Sequence, residues 1–261
     1  MKNFKDDFNL LKNKLKNNEH FGFCRFSDGE LFVMQNKILE LNENNYIIGN
    51  QKGEGWYNKE EQKKFDPTEH QFFRNKLIES LQFRKKNYFK GISCRCCVGD
   101  ESFNQQVDIS GGDDSDLTWA NLWNNGNYES FLSEIVPIFT DKKIILIINE
   151  SANINKLPFD VIKDFRVGTN CFINDYSLIA EIKKYITDNK IEDYVFLISA
   201  ASLSNLLVHQ LFEFNDKNTY IDIGSTLNPM VDMEGWKGSR GYLMEHWLGR
   251  PRNYLNKICI W

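Results

Sequence analysis

"DYVFLISAASLSNLLVHQLFEF", residues 193–214, reads as one complete structural unit. Val195 to Ile198 form an unbroken apolar run, the pattern of a strand covered on both faces of a parallel sheet. Ser199 to Ser202 make a turn of small residues, and from Leu203 the apolar positions recur at helical spacing. "NTYIDIG", residues 218–224, supplies the next strand. Upstream, "KKIILIIN", residues 142–149, is a second continuous apolar strand. "VGTNCFI", residues 167–173, is a weaker one, and Tyr176 to Asp188 reads as a helix. Strands alternating with helices define an α/β fold with a mostly parallel sheet.

The N-terminal half follows the same alternation with more interruption. Phe4, Phe8, Leu11 and Leu15 repeat at helical spacing, so residues 3–17 are predicted to form an amphipathic helix. His20 to Phe26 is a short strand. Gly29 and Glu30 open a helical pattern through Leu31, Met34 and Ile38. Phe73, Leu77 and Leu81 mark a helix between Glu69 and Lys86, and "YFKGISC", residues 88–94, is a candidate strand. Two stretches read as long loops. Residues 41–68 are polar and carry Trp56, either ordered over a site or as an exposed excursion. Residues 99–116 are rich in turn residues, with helix expected near Leu117. The expected organisation is a single domain over 1–261 with 235–261 as a C-terminal extension.

At 261 residues and 41% hydrophobic content, the chain can bury a substantial core. Charged residues make up 26% and the formal net charge is −4, which gives no global attraction to a phosphate backbone, so nucleic acid is not an expected partner. Residues 1–17 break their apolar positions with charge every few residues and lack the core of a signal peptide. No later run approaches the roughly eighteen apolar residues of a spanning helix. A soluble cytoplasmic protein without a transmembrane anchor is expected, and the sequence leaves room for a homo-oligomer. Six cysteines include "SCRCC", residues 93–97. A structural zinc site wants two separated pairs of ligands, whereas Cys24, Cys171 and Cys259 stand alone. On a strand, Cys94 and Cys96 would point one way and Cys97 the other. These are read as reduced, partly buried thiols.

Ligands of open parallel sheets bind in the crevice at the carboxyl ends of the strands. Several polar groups follow candidate strands here: Asp28 with Glu30, the acids Asp113, Asp114 and Asp116, Glu150, the Ser199–Ser202 turn, and Asp222. Two carboxylates one residue apart can address the same hard cation, directly or through water, and manganese or magnesium suits such oxygen ligands. The same residues also suit a helix start, with Asp28 as the cap and Glu30 favoured by the helix dipole. Arg25 adds a phosphate-competent fork, or a salt-bridge partner for either acid. The backbone amides of Ser199 to Ser202 can receive an anion, or Ser202 or Ser204 can cap the helix that follows. Lys237, Arg240, Arg250 and Arg252, interleaved with Tyr242, Trp247 and Tyr254, make a basic C-terminal segment able to close over a diphosphate or to dock by its aromatics. His246 within it is read as a packing residue.

"RFSDGE", residues 25–30, resembles the "RFGDGE" signature near the N-terminus of the GT-D glycosyltransferases, formerly described as a domain of unknown function. Ser27 stands where that family usually has glycine. "YIDIGSTLNP", residues 220–229, is similar to the family's late strand ending in Asp-Ile-Gly. The resemblance implies a Rossmann-like three-layer fold and transfer of a sugar from a nucleotide-sugar donor, UDP-sugars foremost, to a glycan or other hydroxyl acceptor. It implies an Asp-x-Glu motif, here Asp28 and Glu30, acting with Mn2+ or Mg2+. Arg25, Ser199, Ser202 and Arg240 are the candidate donor-binding residues, and Asp222 joins the two acids as a catalytic candidate. The resemblance does not extend to the central acidic loop.

Other enzyme classes lose support from missing motifs. There is no G-x-G-x-x-G after the first strand, no phosphate loop of the G-x-x-x-x-G-K-S/T type and no G-x-S-x-G. A different nucleotide- or metal-dependent transferase or phosphohydrolase is the competing enzyme. A non-catalytic carbohydrate-binding protein is the competing module, through Trp56, Trp119, Trp123, Trp236 and Trp247.

Overall fold

The computed structural model describes residues 4–42, 45–54, 59–112 and 117–235. In chain order the elements are α1 (Phe4–Lys16), β1 (Gly22–Phe26), α2 (Asp28–Met34), β2 (Leu39–Leu41), β3 (Tyr46–Ile48), β4 (Gln51–Gly53), β5 (Lys64–Phe65) and α3 (Gln71–Gln82). There follow β6 (Tyr88–Ile92), α4 (Arg95–Ile109), β7 (Leu117–Trp119), α5 (Tyr128–Ser130), α6 (Val136–Phe139) and β8 (Ile144–Asn149). The chain continues through β9 (Lys163–Val167), α7 (Cys171–Asn174), α8 (Leu178–Asp188), β10 (Val195–Ser199), α9 (Leu203–Phe214) and β11 (Thr219–Asp222).

Seven of these strands make one sheet in the order β7-β6-β1-β11-β10-β8-β9, and every pairing in it is parallel. Side chains alternate between its two faces, as the two-residue period of a strand demands. Along β8, Ile145 and Ile147 join one apolar cluster, while Ile144, Leu146 and Ile148 join the other. The first cluster is completed by α3, α8 and α9 through Leu77, Leu81, Ile182, Leu207 and Leu211. The second is completed by Phe8 and Leu11 of α1 and by Phe131, Ile135 and Phe139. The result is helix, sheet, helix: a Rossmann-like three-layer α/β fold. Burying each Leu, Ile or Phe stabilises it by about 1.5–3 kcal/mol, so these two faces carry most of the favourable term. Among the described residues no helix is long and apolar enough to cross a membrane.

The structure departs from the sequence reading in several places. Residues 41–68 do not form one long loop: with Leu39 they carry a small antiparallel sheet, β4-β3-β2-β5. Residues 99–116 begin inside α4, which runs to Ile109. Leu117 opens β7, not a helix. In the 167–173 stretch the strand is β9, ending at Val167, and Cys171 starts a helical turn. The 128–139 stretch, for which the sequence offered no reading, is helical, with a π turn at Phe131–Ile135 between α5 and α6. Cys94 caps α4 and does not continue the strand.

Candidate active site

β1 and β11 lie side by side, and "RFSDGE" and "DIG" meet at their carboxyl ends. Arg25 falls on the Phe23 side of β1, and its side chain is turned inward, 6% exposed. Its backbone N–H donates to Asp222 Oδ2 at 3.2 Å, Nε donates to the Ala120 carbonyl at 2.5 Å, and Nη1 lies 3.8 Å from Asp222 Oδ1. The Gly224 N–H donates to Asp222 Oδ1 at 3.0 Å. Gly224 itself has φ +52°, and a Cβ there would stand 1.6 Å from Arg25 Nη1. Glycine is required on both counts, since a side chain is strained at this φ and has no room. The two motifs are therefore parts of one contact.

Asp222 is buried and its carboxyl is pushed up to about 7: burial raises it, Arg25 opposes, and the Glu30 charge raises it again. The ion pair to Arg25 is too loose at 3.8 Å to outweigh the loss of water. Asn205 of α9 donates through Nδ2 to the Arg25 carbonyl at 2.6 Å, locking α9 beneath this edge.

Ser27, not Asp28, holds the N-cap of α2, with φ −87° and ψ −170°. These are extended values that serine adopts without strain, so the glycine usual in the GT-D signature is not needed here. Glu30 at N3 closes a capping box, accepting the Ser27 N–H at Oε2 (3.0 Å). Its other oxygen, Oε1, accepts from Lys63 Nζ at 3.1 Å and from the Ser202 hydroxyl, and Lys63 also contacts Ser202. Burial alone would raise the Glu30 carboxyl, but Lys63, Ser202 and the Ser27 amide outweigh it and hold it below the usual carboxylate range. Burial would likewise lower the Lys63 ammonium, and Glu30 and Glu61 hold it above its ordinary value.

Asp28, by contrast, is exposed, its Oδ1 accepting the Gly29 N–H at 2.9 Å. The Asp-x-Glu pair is thus divided. Glu30 is committed inward to a cation the protein supplies itself, and does not fit a direct metal ligand. Asp28 is the carboxylate available at the surface. A single carboxylate fits Mg2+ or Mn2+, which keep several waters and take further oxygens from substrate phosphates.

Lys63 was not anticipated from the sequence. It belongs to a strap, residues 59–65, laid over the carboxyl edge of the sheet. Asn149 Nδ2 donates to the Glu60 carbonyl at 2.8 Å, the Glu234 N–H to Glu60 Oε1 at 2.9 Å, and the Asn170 N–H to the Glu61 carbonyl at 2.7 Å. Residues 59–65 answer the sequence question about the 41–68 stretch, since this part of it is ordered over the edge.

The Ser199–Ser202 turn arrives at the same place, and one amide of the anion cradle considered above, that of Ala200, is taken within the chain. Ser202 is buried against Glu30 and Lys63, and Ser204 Oγ accepts the Ala200 N–H at 2.9 Å. Ser199 is half-buried at the end of β10. Glu150 is exposed beyond β8. Trp123 is buried in the core against Phe8 and Phe23 and cannot stack on a sugar. Asp113, Asp114, Asp116, Trp56, Trp236, Lys237, Arg240, Tyr242, His246, Trp247, Arg250, Arg252 and Tyr254 lie outside the described residues.

No family model matches the sequence, and no curated protein matches it. Solved structures do. A structure of the highly conserved domain of unknown function 1792, described as a distinct glycosyltransferase fold, superimposes with a TM-score of 0.53 at 12% identity, covering 92% of this chain and 79% of that one. This chain has that fold. A selenomethionine-substituted structure of the same domain gives 0.51 at 12% identity over 92% and 79% of the two chains. A DUF1792 glycosyltransferase from Streptococcus sanguinis gives 0.50 at 12% identity over 95% and 85%. The DUF1792 likeness extends across nearly the whole chain.

Proposed function

We propose that the chain is a glycosyltransferase that moves a sugar from a nucleotide-sugar donor, UDP-sugars foremost, to a hydroxyl of a glycan or glycoconjugate, with Mn2+ or Mg2+. The observation that carries this reading is the contact between "RFSDGE" and "DIG" at the carboxyl edge, in the fold of the DUF1792 glycosyltransferases. Departure of a nucleoside diphosphate leaves negative charge that must be met by groups placed beforehand. Asp28 would hold the cation, which when bound neutralises that charge. Glu30 and Lys63 act as positioning residues, fixing the start of α2 and with it the place of Asp28. Asp222 is the carboxylate poised to exchange a proton near neutral pH. Its two oxygens each accept one N–H, which leaves a lone pair on each. Arg25 holds Asp222 and Ala120 together; its buried position favours this role over direct contact with phosphate.

The test is nucleotide binding and donor turnover across a panel of nucleotide sugars, with and without manganese. Cation-coupled UDP binding and donor hydrolysis or transfer are expected, with turnover lost in Asp28→Ala. Glycan binding in the absence of any nucleotide affinity would overturn the proposal in favour of a carbohydrate-binding module. Hydrolysis of phosphate esters without sugar transfer would assign a phosphohydrolase.

A further inference from the structure

Cys94, Cys96 and Cys97 lie just past β6, the neighbour of β1, and their three sulfurs stand within 4.8 Å of one another. The alternation of a strand would have split them, but the chain leaves the strand first. Cys94 takes the extended N-cap conformation, with φ −76° and ψ 160°, and its carbonyl accepts the N–H groups of Cys97 at 3.0 Å and Val98 at 3.2 Å. At that cap position Cys94 makes no side-chain capping bond, and its Sγ stands 2.9 Å from that of Cys96. Gly99, at φ +78° and ψ 168°, then breaks the helix, and α4 resumes beyond it. The thiols therefore sit on a closed single turn that ends in a glycine no L-residue replaces without strain.

From this convergence we propose that Cys94, Cys96 and Cys97 form a three-thiolate site for a thiophilic d10 cation of the zinc class, with the fourth position open to solvent or an exogenous ligand. Zinc bound by thiolates at about 2.3 Å requires sulfurs roughly 3.8 Å apart in a tetrahedron. Cys94 and Cys96 Sγ are 2.9 Å apart, so that pair opens by about 1 Å on binding. Cys96 and Cys97 are exposed and Cys94 is buried, which gives the ion an entry face and an anchored floor. The anchoring is specific: Ser93, next to Cys94, donates through Oγ to the Phe26 carbonyl at 3.2 Å, and its own N–H is held by Gln106 of α4 at 3.1 Å. The other described cysteines, Cys24 and Cys171, are buried, and burial pushes both thiols up, to about 12 for Cys24, so neither competes for the ion. The site stands apart from Asp28 in its chemistry, because thiolates select soft cations where carboxylates select Mg2+ or Mn2+. It does not depend on the glycosyltransferase reading.

The full chain, purified reduced and stripped with a chelator, is titrated with Zn2+ against a chromophoric indicator and separately with Co2+. One equivalent of zinc is expected to bind with release of thiol protons, and Co2+ to develop thiolate charge-transfer absorption. Cys96→Ser or Cys97→Ser alone should weaken binding by at least the roughly 10–100-fold that loss of a partner outside the ligand set costs, and the double variant should abolish both signals. Because both positions are exposed, circular dichroism of the double variant is expected to match the parent. Absence of stoichiometric zinc in the reduced parent chain, or equal binding by the folded double variant, overturns the proposal. So does a Cys94–Cys96 disulfide in the freshly purified chain that reforms after each reduction in the presence of zinc.

Discussion

Asp28 and Glu30 are one residue apart and do opposite things. Asp28 faces water at the first turn of α2, where a carboxylate is worth about 0.3–1 kcal/mol to the helix. Asp28→Ala should therefore leave the unfolding midpoint nearly unchanged while removing manganese-dependent turnover. Glu30 answers a buried ammonium, and removing one member of such a pair typically costs about 3–5 kcal/mol, because the other charge is left without its partner. For Glu30→Ala the lower part of that range is expected, since Lys63 also contacts Ser202 and lies 3.8 Å from Glu61. Denaturant unfolding of the two variants side by side checks both statements. A Glu30→Ala chain as stable as its parent would show that Lys63 finds an equal partner, and the inward assignment of Glu30 would fail. Little of this division was legible beforehand. The spacing of the acids showed that both could reach one cation, but not that a lysine 33 positions later would claim one of them.

At the scale of elements, β8 and β10 and helices α1 and α9 were legible because burial on one or both faces writes a period into the sequence. β8 is six consecutive buried apolar or amide residues, and α1 buries Phe4, Phe8, Leu11 and Leu15 at steps of four and three. The small sheet left no such mark. Its strands are two or three residues long, and β4 is largely exposed, so alternation has nothing to repeat. Lys63 occupies a position two residues from buried Phe65, so a lysine was placed on the inward face, but only knowledge of β5 would reveal it. α4 was hidden by the glycine kink near its start. The contact between Arg25 and Asp222 spans 197 positions; the sequence placed both residues after strands that converge on one crevice, but offered Arg25 only Asp28 or Glu30 as its partner. Gly224 tests that contact at the level of the β11 turn. Gly224→Ala should cost about 1–3 kcal/mol through the strained φ and displacement of Arg25. The expected readout is a lower urea midpoint with unchanged slope. An unchanged midpoint would mean that the guanidinium can withdraw freely, and that the bond to Ala120 does not hold it.

Three buried ionisable groups stitched together at one edge also give the whole molecule a characteristic response to pH. Glu30 has its carboxyl lowered in the folded state, so its contribution is present above the ordinary glutamate value and is lost as acid protonates the folded form. Lys63 is raised, so its contribution holds below the ordinary lysine value and is lost in strong alkali. Asp222 acts in between and with the opposite sign to Glu30. Its folded carboxyl titrates at about 7 against an ordinary 3.8, so the folded chain holds a proton that the unfolded chain has released. Stability should fall as pH rises from about 4 towards 7 and then level off, once both states are ionised. Asp222→Asn removes that titration while keeping a side chain of the same size. Unfolding midpoints measured at intervals from pH 5 to pH 8 should decline in the parent and stay flatter in Asp222→Asn. Parallel declines in the two chains would assign the effect elsewhere. An inflection near neutral pH in turnover, present in the parent and absent from any residual activity of Asp222→Asn, would link the same proton to the reaction.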